Sequence, residues 1–247
     1  TRVRSSAASD VYKRQVHAYR TAGGIALAMR MLATSIPTLE ALHLPAVVST
    51  FADRPAGLVI LAGPTGSGKS TALAAIVDRI NRRHAKHIIT IEDPIEYDHR
   101  SDCSVISQRQ IGNDVATFSD AIYGALRSDP DVLLIGEMRD RQTMHAALTA
   151  AETGHLVLAT LHTGDAPQTV DRIIGVFSGD MQEQIRIQLA QTLLGVVCTR
   201  LVARASGQGR RCAAEVLVAT DAVRNQIRDG KTHQLRNIIS TSRQIGM

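Results

Sequence analysis

One segment of the chain has the residue spacing of a phosphate-binding loop. Residues 63–71 read GPTGSGKST, which fits the pattern G-x-x-x-x-G-K-[ST]. Glycines let backbone N–H groups close on phosphate oxygens, and a following helix N-terminus adds positive potential. In this chemistry Lys69 reaches the β- and γ-phosphates and the Ser70 hydroxyl holds Mg²⁺. The predicted nucleotide-binding residues are Gly63, Pro64, Thr65, Gly66, Ser67, Gly68, Lys69, Ser70 and Thr71.

The residues on both sides of this loop support the motif. Residues 58–61 are apolar and predict a buried strand, and residues 72–77 together with Ile80 predict a helix with one apolar face. A strand, a glycine-rich turn and a helix, in that order, are the context that the motif requires. The chain is therefore predicted to bind ATP together with Mg²⁺.

Acidic residues follow two further apolar runs. Glu92 and Glu96 come after a strand predicted at 87–91, and Glu137 comes after a strand predicted at 131–136. Carboxylates at these strand ends would hold Mg²⁺ through waters or orient the attacking water. Glu137 is predicted to polarise that water as a general base. The alternatives are a solvated acidic turn for Glu92 and Glu96, and a surface side chain for Glu137.

Two histidines, His155 and His162, bracket an apolar strand predicted at 155–161. Most single histidines are surface residues or satisfied core residues, and that reading stays open for both. Because of its place after the Glu137 strand, His162 is a candidate to sense the γ-phosphate through a hydrogen bond. A metal site is disfavoured because no third ligand shares their spacing.

An arginine often stabilises the transition-state charge in P-loop ATPases, sometimes across a subunit interface. Sequence spacing does not choose among the candidates, which are Arg20, Arg30, Arg127, Arg139, Arg141 and Arg172.

Composition narrows the classes of partner. The net charge is +5, but the first fourteen residues carry +3 of it, which leaves the other 233 residues nearly neutral. Aromatic residues make up 3% of the chain and tryptophan is absent, so a basic or stacking surface for nucleic acid is not expected. The three cysteines lack paired spacing, which fits a reducing compartment and argues against a zinc site. No apolar run approaches the length of a membrane span.

The organisation along the chain is uneven. Residues 1–15 show no periodicity and are interpreted as a foreign leader. Residues 16–36 predict two short strands around Gly23–Gly24, and residues 37–56 are interpreted as a linker. From residue 57 to 247 strands and helices alternate, which predicts an α/β domain with a mostly parallel sheet.

The remaining elements follow from apolar periodicity. Strands are predicted at 57–62, 87–91, 131–136, 155–161 and 213–219, and helices at 69–83, 119–128, 141–152, 167–175, 180–199 and 221–229.

Four ordered segments resemble the motifs of the type II/type IV secretion ATPases. GPTGSGKST, TIEDPIEY, DVLLIGEMRD and TGHLVLATLHT resemble the Walker A motif, Asp box, atypical Walker B motif and His box of that family. Near the end, AVRNQIRDGK resembles a motif of the PilT-type retraction ATPases of type IV pili. The resemblance covers roughly residues 16–247. The missing zinc-binding cysteines separate the chain from extension-type motors.

The resemblance implies roles for individual residues. Glu92 and Glu96 would belong to the Asp box, Glu137 would be the catalytic glutamate, and His155 and His162 would link nucleotide state to domain position. Arg30 matches the second of two N-terminal arginines that approach the nucleotide in the family. The segment from Arg224 to Lys231 would be the retraction motif, needed for function more than for nucleotide binding.

The resemblance also implies an architecture and partners. The family forms hexameric rings, each subunit having a PAS-like N-terminal domain and a RecA-like, P-loop C-terminal domain. Residues 16–36 would be the remnant of the PAS-like domain, and the chain stops at residue 247, short of the usual C-terminal helices. The implied function is ATP-driven pilus retraction at the cytoplasmic face of the inner membrane, where the motor is peripheral and contacts a membrane platform protein.

Other functions remain open at this point. Within the family, the alternatives are a PilU-type accessory retraction motor and a type II secretion ATPase. Outside it, they are a nucleic-acid-translocating RecA-like ATPase, a small-molecule kinase and a nucleotide-binding fragment that does not hydrolyse ATP.

Overall fold

A seven-stranded sheet forms the centre of the molecule in the computed structural model, which describes residues 14–31 and 35–247. Two further strands, β1 (Arg14–Thr21) and β2 (Gly24–Met31), form a separate antiparallel pair. The strands of the large sheet are β3 (Gly57–Ala62), β4 (His87–Glu92), β5 (Val105–Gln110), β6 (Val132–Ile135), β7 (Leu156–Leu161), β8 (Leu193–Ala203) and β9 (Arg210–Val218).

The order across the large sheet is β5-β4-β6-β7-β3-β8-β9. All neighbouring strands are parallel except β9, which pairs antiparallel with β8. The predicted α/β class with a mostly parallel sheet is therefore confirmed. The C-terminal ends of parallel strands lie on the same side of the sheet, so the loops that follow β3, β4, β6 and β7 lie close together there.

Eight α-helices accompany the strands in the described residues. They are α1 (Val47–Thr50), α2 (Lys69–Arg83), α3 (Phe118–Leu126), α4 (Arg141–Glu152), α5 (Ala166–Gly175), α6 (Gly179–Thr192), α7 (Asp221–Arg228) and α8 (Leu235–Thr241). Side-chain caps fix several starts, because Thr117, Asp140, Asp165 and Thr220 each accept a backbone N–H of the first turn. In the described part of the chain no helix has both the length and the apolar character that a membrane crossing requires.

The core lies on both faces of the sheet. In β3, Leu58 and Ile60 point into one cluster with helices α3 to α7, while Val59 and Leu61 point into the other with α1 and α2. This alternation is why β3 is apolar at every position, as expected for a strand buried on both faces.

Residues 37–56, interpreted from the sequence as a linker, contribute to the second cluster. Leu39, Val48 and Phe51 are buried there. The segment therefore packs onto the domain that begins at β3.

The strand pair predicted around Gly23–Gly24 is present, and Gly24, at a φ of +131°, begins β2 directly after the turn. Its assignment to a PAS-like domain stays a prediction. Residues 1–13 of the predicted leader lie outside the described residues, and the last two residues of that leader begin β1.

One predicted helix was wrong in its second half. The sequence predicted a single helix over 180–199, but α6 ends at Thr192 and β8 begins at Leu193. The segment from 193 is rich in β-branched residues and inserts between β3 and β9, so pairing on both sides outweighs helical propensity. Strand β5 and helix α8 were not predicted.

Candidate functional site

The glycine-rich loop joins β3 to α2, and its glycines adopt conformations that other residues avoid. Gly63, Gly66 and Gly68 have φ values of +143°, +75° and +99°. A Cβ at Gly63 would also lie 2.6 Å from Ser67 Oγ, so a side chain does not fit there. The loop therefore turns its backbone toward the first turn of α2, in the form of an anion-binding cradle.

Lys69 is held inside this loop. Its Nζ donates to the carbonyl oxygens of Gly63 at 2.8 Å and Pro64 at 3.0 Å, and the residue is only 7% exposed. Burial lowers the pKa of the amine, while the carboxylates of Glu137 and Glu96 act in the opposite direction. Lys69 is thus a pre-positioned cation at the start of a helix, which suits a phosphate.

Glu137 stands directly beyond β6 on a segment joined to both neighbouring strands. Gly136 N–H donates to the Ile91 carbonyl at 2.8 Å, and Met138 N–H donates to the Thr160 carbonyl at 3.0 Å. A Cβ at position 136 would come within 3.2 Å of Ile91 O, which explains a glycine where an ordinary Walker B strand has aspartate.

The Glu137 carboxylate has two nitrogen partners. Arg139 Nη2 lies 2.7 Å from Oε2, and His162 Nε2 lies 3.3 Å from Oε1. The hydrogen bond from Arg139 is the largest of the effects that lower the pKa of Glu137, and Lys69 contributes to the same direction. Glu137 is therefore held ionised, as a base requires.

Glu92 ends β4 in a more enclosed position. Its Oε1 accepts from Thr90 Oγ1 at 2.7 Å and from Gln108 Nε2 at 3.1 Å, and burial raises the pKa of the carboxyl group against these donors. Glu96 lies on the following loop, and Tyr97 of that loop shares a 2.8 Å hydrogen bond with Thr71 of α2.

These groups line one cleft of about 620 Å³. Among the residues predicted for the site, those that line it are Thr65, Gly66, Gly68, Lys69, Ser70, Thr71, Glu92, Glu96, Glu137 and His162. Gly63 and Pro64 lie behind them and supply the carbonyls for Lys69. The Ser67 hydroxyl turns away and pairs with Thr199 Oγ1 at 3.1 Å.

The predicted site residue His155 lies away from this cleft. His155 stands at the opposite end of β7 from His162, because a strand of six residues separates them. Its Nδ1 pairs with the Ala150 carbonyl at 2.9 Å and with Thr153 Oγ1, so it closes the end of α4. The side chain of Arg30 lies outside the described residues.

Sequence reasoning missed several groups of the site. Tyr97, Arg210 and Gln108 come from a loop, from β9 and from β5, and none has a motif of its own in the sequence. Tyr97 does close the run TIEDPIEY, which was the available signal. Arg139 was one of six candidate arginines, and only its contact with Glu137 distinguishes it.

The composition of the cleft fits a magnesium nucleotide. The loop offers backbone N–H groups and a lysine for phosphates, and the exposed Ser70 hydroxyl stands at the first turn of α2. The hydroxyl and carboxylate oxygens around it are the hard ligands and acceptors that suit Mg²⁺ and its waters.

A family model described as "Type II/IV secretion system protein" matches residues 16–245. The chain is 44% identical over 238 residues to a twitching motility protein of Neisseria gonorrhoeae, covering 96% of this chain and 64% of that protein. It is 43% identical over 233 residues to the type IV pilus retraction ATPase PilT of Pseudomonas aeruginosa, covering 94% of this chain and 67% of that one. The chain thus spans about two thirds of the length of these relatives.

The fold is also similar to a solved structure. The crystal structure of the pilus retraction motor PilT with bound ADP matches with a TM-score of 0.87 at 42% identity, covering 92% of this chain and 70% of that one. The order of the motifs, the topology of the sheet and the family match agree. The chain belongs to the type II/IV secretion system protein family.

Proposed function

We propose that this chain hydrolyses ATP and that the hydrolysis drives retraction of a type IV pilus. The observation that carries the chemical part is the juxtaposition of Lys69 and Glu137 in one cleft, with the glutamate held ionised by Arg139 and His162. The proposed link between hydrolysis and pilus retraction rests on the names of the relatives.

In this proposal each group has a defined task. Lys69 and the loop N–H groups bind the β- and γ-phosphates, and Glu137 accepts a proton from the water that attacks the γ-phosphorus. Mg²⁺, held by Ser70, would neutralise charge on the phosphates when bound. Glu92 and Glu96, which line the same cleft, would hold Mg²⁺ through waters or orient the attacking water. His162 contacts Glu137 directly, so it is placed to respond to the nucleotide.

The assembly is part of the same proposal. We infer a homo-hexamer, peripheral to the cytoplasmic face of the inner membrane, that contacts a membrane platform protein and binds no nucleic acid. The motif resemblance and membership of the family support the assembly, and a small aromatic content with a nearly neutral domain argues against nucleic acid. As the family resemblance implies, Arg30 would approach the nucleotide, and His155, which lies at the other end of β7 from the cleft, would act on domain position rather than on the nucleotide.

Phosphate release from ATP with Mg²⁺, measured beside the molar mass in solution, tests the proposal. We expect turnover by the wild-type chain that falls at least about 100-fold in Glu137→Gln while ATP binding persists. Glu183→Gln, an exposed glutamate on α6, is the matched control. Equal turnover by Glu137→Gln and wild type would refute the role of Glu137.

Added nucleic acid tests the class of function. A motor for pili should show the same turnover with and without single- or double-stranded DNA. Turnover that depends on DNA and falls steeply with salt would support a nucleic-acid translocase instead.

A complementation experiment tests the type of motor. The chain is expressed in a bacterium from which both the retraction ATPase and the accessory ATPase have been deleted. Restored twitching would identify a main retraction motor, and its absence would favour an accessory or secretion motor.

A further inference from the structure

The side chain of Gln108 makes three hydrogen bonds to the acidic segment beyond β4. Its Oε1 accepts the backbone N–H of His99 at 2.8 Å. Its Nε2 donates to the Glu92 carboxylate at 3.1 Å and to the Tyr97 carbonyl at 2.9 Å. One amide therefore joins the carboxylate at the beginning of this loop to the backbone near its end.

The chemistry of the partners fixes the orientation of this amide. The nitrogen faces two acceptors and the oxygen faces a donor, so a flipped amide would set its oxygen against a carboxylate. Glutamate has the same size and would keep the bond to His99, but it has no N–H for Glu92 or Tyr97. No other standard side chain of this length supplies both a donor pair and an acceptor.

The loop held by Gln108 faces the phosphate-binding helix. It carries Glu96, and its Tyr97 hydroxyl shares the 2.8 Å hydrogen bond with Thr71 Oγ1 on α2. Gln108 thus belongs to a continuous chain of contacts from β5, through the loop, to the first turn after the glycine-rich segment. Through these contacts β5, the edge strand of the sheet, helps to set the position of Glu92 relative to Lys69.

We propose that Gln108 is a positioning residue, which holds Glu92 and the loop bearing Glu96 in register with the phosphate-binding loop. This inference rests on the proposed ATP hydrolysis. Gln108 itself does not line the cleft, so it acts through Glu92 and the loop rather than on the nucleotide. It is consequently expected to affect turnover much more than nucleotide affinity.

Its neighbour Gln110 supplies a matched control. Gln110 lies two residues along β5, hence on the same face, and its Oε1 accepts the Ile95 N–H over a longer distance of 3.4 Å. Its side chain makes no described hydrogen bond to a carboxylate; only its backbone N–H does, donating to Asp114 Oδ2 at 2.8 Å. Methionine has nearly the length of glutamine, so Gln108→Met and Gln110→Met each remove one side-chain amide from the same strand and keep a similar volume.

The first experiment compares kcat with the dissociation constant for ATP. In Gln108→Met we expect kcat to fall about 10- to 100-fold, because a displaced catalytic group costs this much. We expect the dissociation constant to change by less than about twofold, since uniform binding is retained. Gln110→Met should keep nearly the wild-type kcat. Unchanged kcat in Gln108→Met, or an equal loss in Gln110→Met, would overturn the proposal.

The second experiment tests the contact without any turnover. Gln108→Glu sets two carboxylates against each other, and we expect it to lower the melting temperature by about 3 °C or more. In the Glu92→Gln background the same change again pairs a donor with an acceptor at these two positions, so the loss should be clearly smaller, although the bond to the Tyr97 carbonyl is missing in both backgrounds. Equal losses in both backgrounds would show that Gln108 does not hold Glu92. A wild-type chain without ATPase activity would refute the proposed function, yet this comparison would still decide the contact.

Discussion

Glu137 and Arg139 form an ion pair, with 2.7 Å between Oε2 and Nη2. The Arg139 side chain is 66% exposed, whereas that of Glu137 is 20% exposed. Solvent weakens such a pair, so its contribution to stability is small. Its chemical effect is on the carboxylate, because the hydrogen bond from the guanidinium lowers the pKa of Glu137 against the effect of burial.

The pH dependence of turnover should report this pair. The pKa of Glu137 is lowered, with Arg139 as the first cause, so the base stays deprotonated well into the acidic range. Arg139→Ala removes that effect, so that burial, which raises the pKa, is opposed only by the charges of His162 and Lys69. We therefore expect the acidic limb of kcat/KM to move to higher pH in Arg139→Ala. Arg172→Ala is the control, and coincident acidic limbs in all three proteins would contradict the assignment.

Lys69 is expected to be required for ATP hydrolysis and not only for folding. Lys69→Ala removes the cation that faces the phosphate position, and we expect turnover to fall at least about 100-fold. Lys86→Ala, which breaks a half-buried pair with Asp131 at the other end of the strands, should change turnover little. The measurement is phosphate release at saturating ATP, with circular dichroism to verify the fold. Wild-type turnover by Lys69→Ala would exclude this cleft as the site of hydrolysis.

The cysteines should differ in reactivity with an alkylating reagent. Burial raises the pKa of Cys198 to about 12, so its thiolate is scarce at pH 8, whereas Cys103 is exposed. We expect rapid alkylation of Cys103, slow alkylation of Cys212 and protection of Cys198 until the protein unfolds. Mass spectrometry of peptides after timed alkylation measures this. Equal rates for Cys103 and Cys198 in the folded protein would place Cys198 outside the core.

Within the segment that resembles the retraction motif, the two arginines have different tasks. Arg224 donates to the carbonyls of Ala190 and Gln191 at the end of α6, where positive charge also favours the helix dipole. Arg228 is exposed and contacts only Asn225 in the described hydrogen bonds. Arg224→Ala should lower the free energy of unfolding by about 1–2 kcal/mol, because a charged donor is lost.

Urea denaturation of Arg224→Ala beside Arg228→Ala checks this difference. Arg228→Ala should lie within about 0.5 kcal/mol of the wild type, as most surface substitutions do. A larger loss in Arg228→Ala than in Arg224→Ala would reverse the assignment. Arg228 would then be the structural residue of the segment, and Arg224 the one available to a partner.

Several elements could be predicted from the sequence because local chemistry specifies them. Helices α2 and α4 have the predicted bounds, 69–83 and 141–152, because a glycine-rich turn precedes the first and the Asp140 cap precedes the second. Strand β3 also has its predicted bounds, since an apolar run that ends at a glycine is a local signal. The site residues from Thr65 to Thr71 lie together for the same reason.

Other features depend on residues far away in the chain. Residues 193–199 are a strand because β3 and β9 pair with them, and a helical reading of the same apolar run was equally consistent with its composition. His155 and His162 both flank the apolar run of β7 in the sequence, yet the six residues of that strand place them at its opposite ends.

The sequence by itself determined the phosphate-binding loop, the alternating α/β pattern and the acidic residues at the ends of β4 and β6, because these are signals of neighbouring residues. Only the tertiary structure decided which side chains share the cleft. His162 is one histidine among several until the pairing of β6 with β7 brings it to Glu137. Gln108 is an ordinary polar residue until the pairing of β5 with β4 sets its amide against Glu92. Contacts of this kind depend on strand order and register, which no local pattern encodes.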